Sequence, residues 1–404
     1  MNYTVKNIYG KIRNKNVTVS VPGSKSITAR ALLMAALAKG ESVLYNASLS
    51  DDCLTFLECL RSLGIRCDIS GTTVRVEGCG GRIPVKNAKI NVVSSGTAAR
   101  FFTALLAFSD GEHYVDCSEQ MKRRPVQPLI DSLVAAGAQV ESSNGGFPLK
   151  IRGTSSPATE ISVDISKSSQ FLSAILITAV CAKYPVKITA SGSHGLDYVH
   201  MTIDMMWSFG VPVPEEGDSY IVNGVYAAKK YDIEPDISAA CYFYAANKIL
   251  EANIAVKGIM PRSMQGDLKF INLLKKFNGG MVDMSSFSDQ VLTLAAIAPY
   301  LEAPTEIYGV SHIRLQECDR LNAIQVNLSA MGVNCEERDD GVIIYPAQPK
   351  PAKIRTFGDH RVAMAFALTG LRADGIEIEN AEVCSKTFKE YFNVLDKIVS
   401  DLTN

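Results

Sequence analysis

VPGSKSITARALLMAALAKGESVLYNASLSDDCLTFLECLRSLG, residues 21–64, reads as a polar mouth, an apolar helix, a strand-like segment, a polar loop and a second, amphipathic helix ending at a glycine. The same order returns five more times. Its apolar stretches are ALLMAALA (31–38), FFTALLAF (101–108), FLSAILITAV (171–180), CYFYAANKIL (241–250), VLTLAAIAPYL (291–301) and VAMAFALTGL (362–371). In five repeats the second helix stops at or near a glycine, as in LRSLG (60–64), LVAAG (133–137), MWSFG (206–210), KKFNG (275–279) and LSAMG (328–332), with paired strand-like segments such as VIIYP (342–346) expected to follow. The first helices are apolar on every side, so they belong in a core between the amphipathic helices and the sheets.

The sixth repeat stops after its second helix, TFKEYFNVLDKI, and lacks the closing strands. The first twenty residues are strand-like and carry no helix of their own, so they are expected to complete that last repeat. The result is a two-domain α/β protein with three repeats per domain. One domain takes 1–20 with 234–404 and the other takes 21–233. The chain crosses twice, which makes a two-strand hinge.

Composition limits the function. Lys and Arg number 41 against 42 Asp and Glu, a net charge of −1, and 47% of residues are hydrophobic. Such a balance gives no general attraction to nucleic acid or to acidic membranes, so any anion site comes from local placement. The N-terminal stretch MNYTVKNIYGKIRNKN has no signal-peptide apolar core, and a cytoplasmic protein is expected. Ten cysteines are scattered with no C-x-x-C pair, and His113, His194 and His200 show no ligand spacing, so no metal is expected.

The chemistry concentrates at the helix mouths. PGSKS, SSGTAAR, SKSSQ, EPDISA, SFSDQ and TFGDHR precede or open the apolar helices; LSDD, MKRRP, LDYVH, RSMQGD, QECDR and CSKTF open the second ones. Capping explains Ser, Thr and Asp at such positions. It does not explain Lys25, Arg100, Arg123, Arg124, Arg320, Arg361 and Lys386, because a cation at a helix N-terminus opposes the macrodipole. A multiply charged anion among them is expected. A P-loop is not, because that motif needs glycine before its lysine and another five residues earlier, whereas Ser24 precedes Lys25.

PGSKSITARALL with SLSDD, SSGTAARFF, MKRRP, SSQFLSAIL, EPDISAA, SMQGD, GVSHIRLQECDRL, FGDHRVAMAF and SKTF run the length of the chain in one order. In that order the chain resembles the 5-enolpyruvylshikimate-3-phosphate synthases of the enolpyruvyl transferase family. The resemblance implies an inside-out α/β barrel fold in two domains, with βαβαββ-like repeats and the active site in the cleft between the domains. It implies a monomer acting on small molecules: transfer of the enolpyruvyl group of phosphoenolpyruvate to the 5-hydroxyl of shikimate 3-phosphate, with release of phosphate and no cofactor.

By position, the resemblance assigns Lys25, Ser26 and Arg30 to shikimate 3-phosphate, with Lys25 touching both substrates. Ser168, Ser169, Gln170, Asp289, His312 and Gln316 complete that subsite. Lys25, Gly96, Arg124, Gln170, Arg320, Arg361 and Lys386 would hold phosphoenolpyruvate, where bidentate guanidinium pairing suits carboxylate and phosphate. Asp289 would accept the hydroxyl proton and Glu317 would protonate the methylene carbon. On residue type alone, Asp289, Ser168 and Ser169 also fit helix caps, Glu317 an exposed helix charge and His360 a buried structural histidine. The chain departs from the family at Gln316, where lysine is usual, at Gly195, where a serine is frequent, and at His312. Two rivals stay open: the sister enzyme acting on UDP-N-acetylglucosamine, against which the spacing from Cys117 to Pro125 argues, and a family member that binds the anions without turnover.

Overall fold

Ser24 starts the first apolar helix: its Oγ accepts from the Ile27 amide, and the helix Lys25–Leu37 is buried from Ile27 to its end. The computed structural model describes residues 1–404. Five further core helices follow, Gly96–Ala107, Gln170–Thr178, Ile237–Leu250, Val291–Ile297 and His360–Gly370. The second and sixth are buried at every position, which is why their sequences carry no polar face. Removing one of their leucines would cost about 2–5 kcal/mol, since a helix enclosed on all sides cannot collapse into the gap.

The chain folds as two compact units, Gly23–Glu234 and Met1–Pro22 with Pro235–Asn404. In the first unit each repeat owns a four-stranded sheet of one design. A short strand pairs in parallel with the strand after the core helix, and that strand pairs antiparallel with a hairpin. Glu160–Asp164 beside Val186–Ser191 is an example, continued by Ser219–Val222 and Glu215–Glu216. In the other unit only the fifth repeat has the full set, Gly280–Asp283, Thr305–Tyr308, Gly341–Ile344 and Cys335–Arg338.

Here the expectation for the N-terminal strands needs correcting. Tyr3–Thr4 does join the last repeat, antiparallel to Ile376–Ile378. Asn16–Val19 instead pairs in parallel with Asn253–Val256, the strand after the fourth core helix. The reason is that Asn16–Val19 belongs to the unit holding the fourth repeat, whose Asn253–Val256 presents the parallel edge that a leading strand fills in every repeat; the hairpin edge of that strand stays unfilled, because no hairpin follows KKFNG and Gly280–Asp283 belongs to the fifth sheet. The leading strands are thereby exchanged. Asn16–Val19 runs into the first core helix but serves the fourth repeat, while Lys230–Asp232 runs into the fourth core helix but pairs with Lys39–Tyr45 of the first repeat. At the crossing, Gly23 is compelled: a Cβ there would lie 1.8 Å from the Asn46 carbonyl oxygen.

No helix is long and apolar enough to cross a membrane.

Candidate active site

The unit Gly23–Glu234 contributes cations and hydroxyls. Lys25, the first residue of its helix, pairs with Asp52 at 3.1 Å, and Asp52 stands at the N-terminus of the second helix, Asp51–Ser62. One of the expected anions is thus internal. Arg30 lies one turn deeper and is 2% exposed. Its guanidinium donates to Thr202 Oγ1 (2.8 Å), the Ser26 carbonyl (3.1 Å), the Tyr198 carbonyl (3.3 Å) and Ser173 Oγ (3.4 Å), and faces the rings of Phe101 and Tyr198. All these acceptors are neutral. Burial pulls the Arg30 pKa down to about 10, so the group remains charged at neutral pH while lacking a carboxylate.

Gly96 opens the second core helix under two further arginines. A Cβ at Gly96 would lie 2.7 Å from Arg124 Nη1 and 2.9 Å from Arg100 Nη1. Arg100 is buried and donates to the carbonyls of Gly96 (3.2 Å) and Pro125 (2.7 Å), which ties the MKRRP loop carrying Arg124 to this helix mouth. Ser168 and Ser169 precede the third core helix. Ser168 Oγ accepts from the Gln170 amide at 3.3 Å, a capping-type bond, whereas Ser169 makes no side-chain cap. Gln170 keeps a buried side-chain oxygen with no donor. The glycine at 195 now has its reason: φ is +64° and a Cβ would come within 2.6 Å of Ser169 Oγ, so a serine there would displace that hydroxyl.

The other unit gathers carboxylates around arginines. Arg320, 2% exposed, opens the helix Arg320–Ala330 and reaches three of them: Asp359 through Nε (2.8 Å), Glu317 through Nη2 (3.0 Å) and Asp289 through Nη1 (3.3 Å). Burial disfavours the Arg320 charge, yet Asp359, Glu317 and Asp289 together raise its pKa above the ordinary value. Arg361 Nη2 holds the other Asp289 oxygen at 2.8 Å. Asp289 therefore is no cap; the fifth core helix is preceded by Gln290, which makes no side-chain cap bond. Glu317 is no exposed charge either, with its side chain 7% exposed. His312 Nε2 lies 2.8 Å from Ser288 Oγ, next to Asp289 in the chain. Gln316 is half-buried beside Glu317. His360 is buried, its Nδ1 3.6 Å from Asp359.

Two expectations change. Lys386 does not sit at a helix N-terminus; it ends the 3-10 segment Ala381–Lys386, ahead of the helix Tyr391–Thr403. The rule that cations at helix mouths require an external anion holds less widely than the sequence suggested, because Lys25, Arg320 and Arg361 have protein carboxylates. Asp52, Asp267 and Asp359 were the residues missed. Each lies inside a quoted mouth, SLSDD, SMQGD or FGDHR, where an aspartate reads as a cap; Asp359 does cap the Arg361 amide at 2.8 Å while its other oxygen anchors Arg320.

A family model described as EPSP synthase (3-phosphoshikimate 1-carboxyvinyltransferase) matches residues 10–281 and 273–395. A 3-phosphoshikimate 1-carboxyvinyltransferase of Trichormus variabilis is 39% identical, the match covering 96% of this chain and 97% of the relative. One from Pseudomonas syringae pv. tomato is 36% identical, covering 93% of each. Among solved structures, an EPSP synthase from Acinetobacter baumannii superposes with a TM-score of 0.82 at 21% identity over 98% of both chains. The enolpyruvyl transferase NikO from Streptomyces tendae gives 0.75 at 14% identity over 98% of this chain and 96% of its own. These structural likenesses establish the two-domain α/β fold of the enolpyruvyl transferases. With the extent of the sequence match and the helix-mouth arginines and carboxylates in place, the chain belongs to the EPSP synthase (3-phosphoshikimate 1-carboxyvinyltransferase) family.

Proposed function

We propose that this transferase of the shikimate pathway joins phosphoenolpyruvate to the 5-hydroxyl of shikimate 3-phosphate and releases phosphate. The observation that carries the residue assignment is Arg30, a buried guanidinium with only neutral partners. Such a group is costly in an empty site and is offset by an anionic ligand. Lys25, Ser26, Arg30, Ser168, Ser169 and Gln170 take shikimate 3-phosphate, with Arg30 supporting its phosphate and the Gln170 oxygen accepting from a ligand hydroxyl. Gln316 and His312 serve the same substrate. Gly96, Arg124, Arg320, Arg361 and Lys386, with Lys25 and Gln170, hold phosphoenolpyruvate, Gly96 by leaving room for the guanidinium of Arg124.

The chemistry falls to Asp289 and Glu317. In the addition, the hydroxyl oxygen bonds to C2 of phosphoenolpyruvate as Asp289 takes the hydroxyl proton and Glu317 gives one to the methylene carbon, forming a methyl group and a tetrahedral ketal phosphate. In the elimination, the methyl proton returns to Glu317 as the C–O bond to phosphate breaks, and Asp289 passes the hydroxyl proton to the departing phosphate, with arginines stabilising the leaving group. Asp359 fixes the Nε side of Arg320, which keeps both Nη groups on the two reacting carboxylates. The protein acts as a cytoplasmic monomer on these small molecules alone, with no nucleic acid or membrane partner, cofactor or metal. Phosphate release by the purified protein with both substrates tests the reading. Turnover restricted to UDP-N-acetylglucosamine overturns it in favour of the sister activity, and tight binding without phosphate release overturns it in favour of a non-catalytic member.

A further inference from the structure

Behind Asp289 stands a second aspartate. Asp267 is 5% exposed, and its Oδ2 accepts from Gln290 Nε2 at 2.9 Å and from Ser238 Oγ. Gln290 is fully buried, follows Asp289 in the chain and uses its Oε1 to accept from Thr293 Oγ1 at 3.0 Å, within the fifth core helix. Ser238 lies in the first turn of the fourth core helix. The loop carrying Asp267 is itself pinned to that helix mouth: Gln265 Oε1 accepts from the Ile237 amide (3.0 Å) and its Nε2 donates to the Pro235 carbonyl (2.9 Å). One carboxylate thus joins three segments at the base of the residue proposed as proton acceptor.

A scaffold could do this with an amide. A carboxylate adds a charge, and this one is held by neutral donors. Arg361, the cation whose field reaches it, is ion-paired with Asp289. Asp289 is a further titratable neighbour, as is Cys241, whose buried thiol is pushed well above its ordinary pKa and stays neutral. Burial first, and then the charge of Asp289, lift the Asp267 carboxyl to about 6. Two carboxylates that feel each other titrate as a pair, and the like charge falls on the one that ionises second, here Asp267.

We propose that Asp267 is a positioning residue for the transfer reaction: by accepting from Gln290 and Ser238 it ties the segment carrying Asp289 to the fourth core helix and sets the placement of the proton acceptor. The proposal rests on Asp289 acting as the base. Asp267→Ala removes the acceptor of both bonds, so kcat at the optimum should fall about tenfold through altered placement, with KM for shikimate 3-phosphate changing less than about twofold. Asp267→Asn, whose amide oxygen can accept from Gln290 while its amide nitrogen donates to Ser238 Oγ, should restore kcat to within about threefold of wild type. Gln290→Met breaks the same link from the Asp289 side and should lower kcat in the same way; it carries the test if Asp267→Ala does not fold. Wild-type kcat in folded Asp267→Ala or Gln290→Met, or equal losses in Asp267→Ala and Asp267→Asn, overturns the proposal, leaving the reading of the reaction intact. Full turnover by Asp289→Asn overturns that reading, and with it the base on which Asp267 acts.

Discussion

Arg30 and Arg320 are equally buried, each 2% exposed, and are treated in opposite ways. Arg320 has three carboxylates, and its pKa is raised; Arg30 has hydroxyls, carbonyls and two aromatic faces, and burial draws its pKa down to about 10. The first arrangement is closed electrostatically and suits groups that must hold and return protons. The second leaves positive charge to be completed by a ligand. On the proposed assignment, binding and proton transfer are built from the same residue type, separated by what each guanidinium is given as company.

The widest gap between the two should appear in stability. Arg320→Met would strand Asp359, which is fully buried, and Glu317 without their cation, a loss of about 3–5 kcal/mol in urea unfolding. Arg30→Met removes a buried charge that has no carboxylate, so the unliganded protein should be as stable as wild type or slightly more so. Equal destabilisation by both would break the comparison.

Activity sharpens it next. Asp289→Asn should lower turnover by about a hundredfold or more while shikimate 3-phosphate binds within about tenfold of wild type, as for a lost general base. Unchanged turnover would mean that its two arginine contacts serve structure only. Arg30→Met should in turn weaken shikimate 3-phosphate by about ten- to a hundredfold in calorimetry, the scale of charge-assisted hydrogen bonds, with a smaller effect on phosphoenolpyruvate. Comparable losses for both ligands would refute the division of roles.

The smallest effect concerns pH. The carboxyl of Asp267 is raised from 3.8 to about 6 in the folded protein, so between these values the folded state holds more proton than the unfolded state. Stability from this group is therefore fully present below the unfolded pKa and is lost as pH rises through about 6. Asp267→Asn should melt higher than wild type at pH 7.5, and the advantage should fade toward pH 4. A pH-independent difference would show that the carboxylate is not strained by its burial.

Much of this was legible in one dimension. An all-round apolar helix has a single stable environment, so six such stretches announced six core helices, and a guanidinium at a helix mouth is conspicuous because it runs against the local dipole. Pairing was not legible. Asn16–Val19 has the alternation of any edge strand, and its partner was decided by the unit it joins, where it fills the parallel edge of Asn253–Val256 as a leading strand does in every repeat. Asp359 and Asp267 read as caps because capping is local, while their longer reach to Arg320 and Gln290 spans 39 and 23 residues.

The sequence by itself determined the repeats, the polar helix mouths with their cations and the family, because periodicity, caps and motifs act over a few residues. Only the tertiary structure decided which strand completes which sheet and which cations are already neutralised. Both depend on groups far apart in the chain meeting where water is excluded, and there a carboxylate's presence or absence sets whether a buried arginine is a closed ion pair or an open anion site.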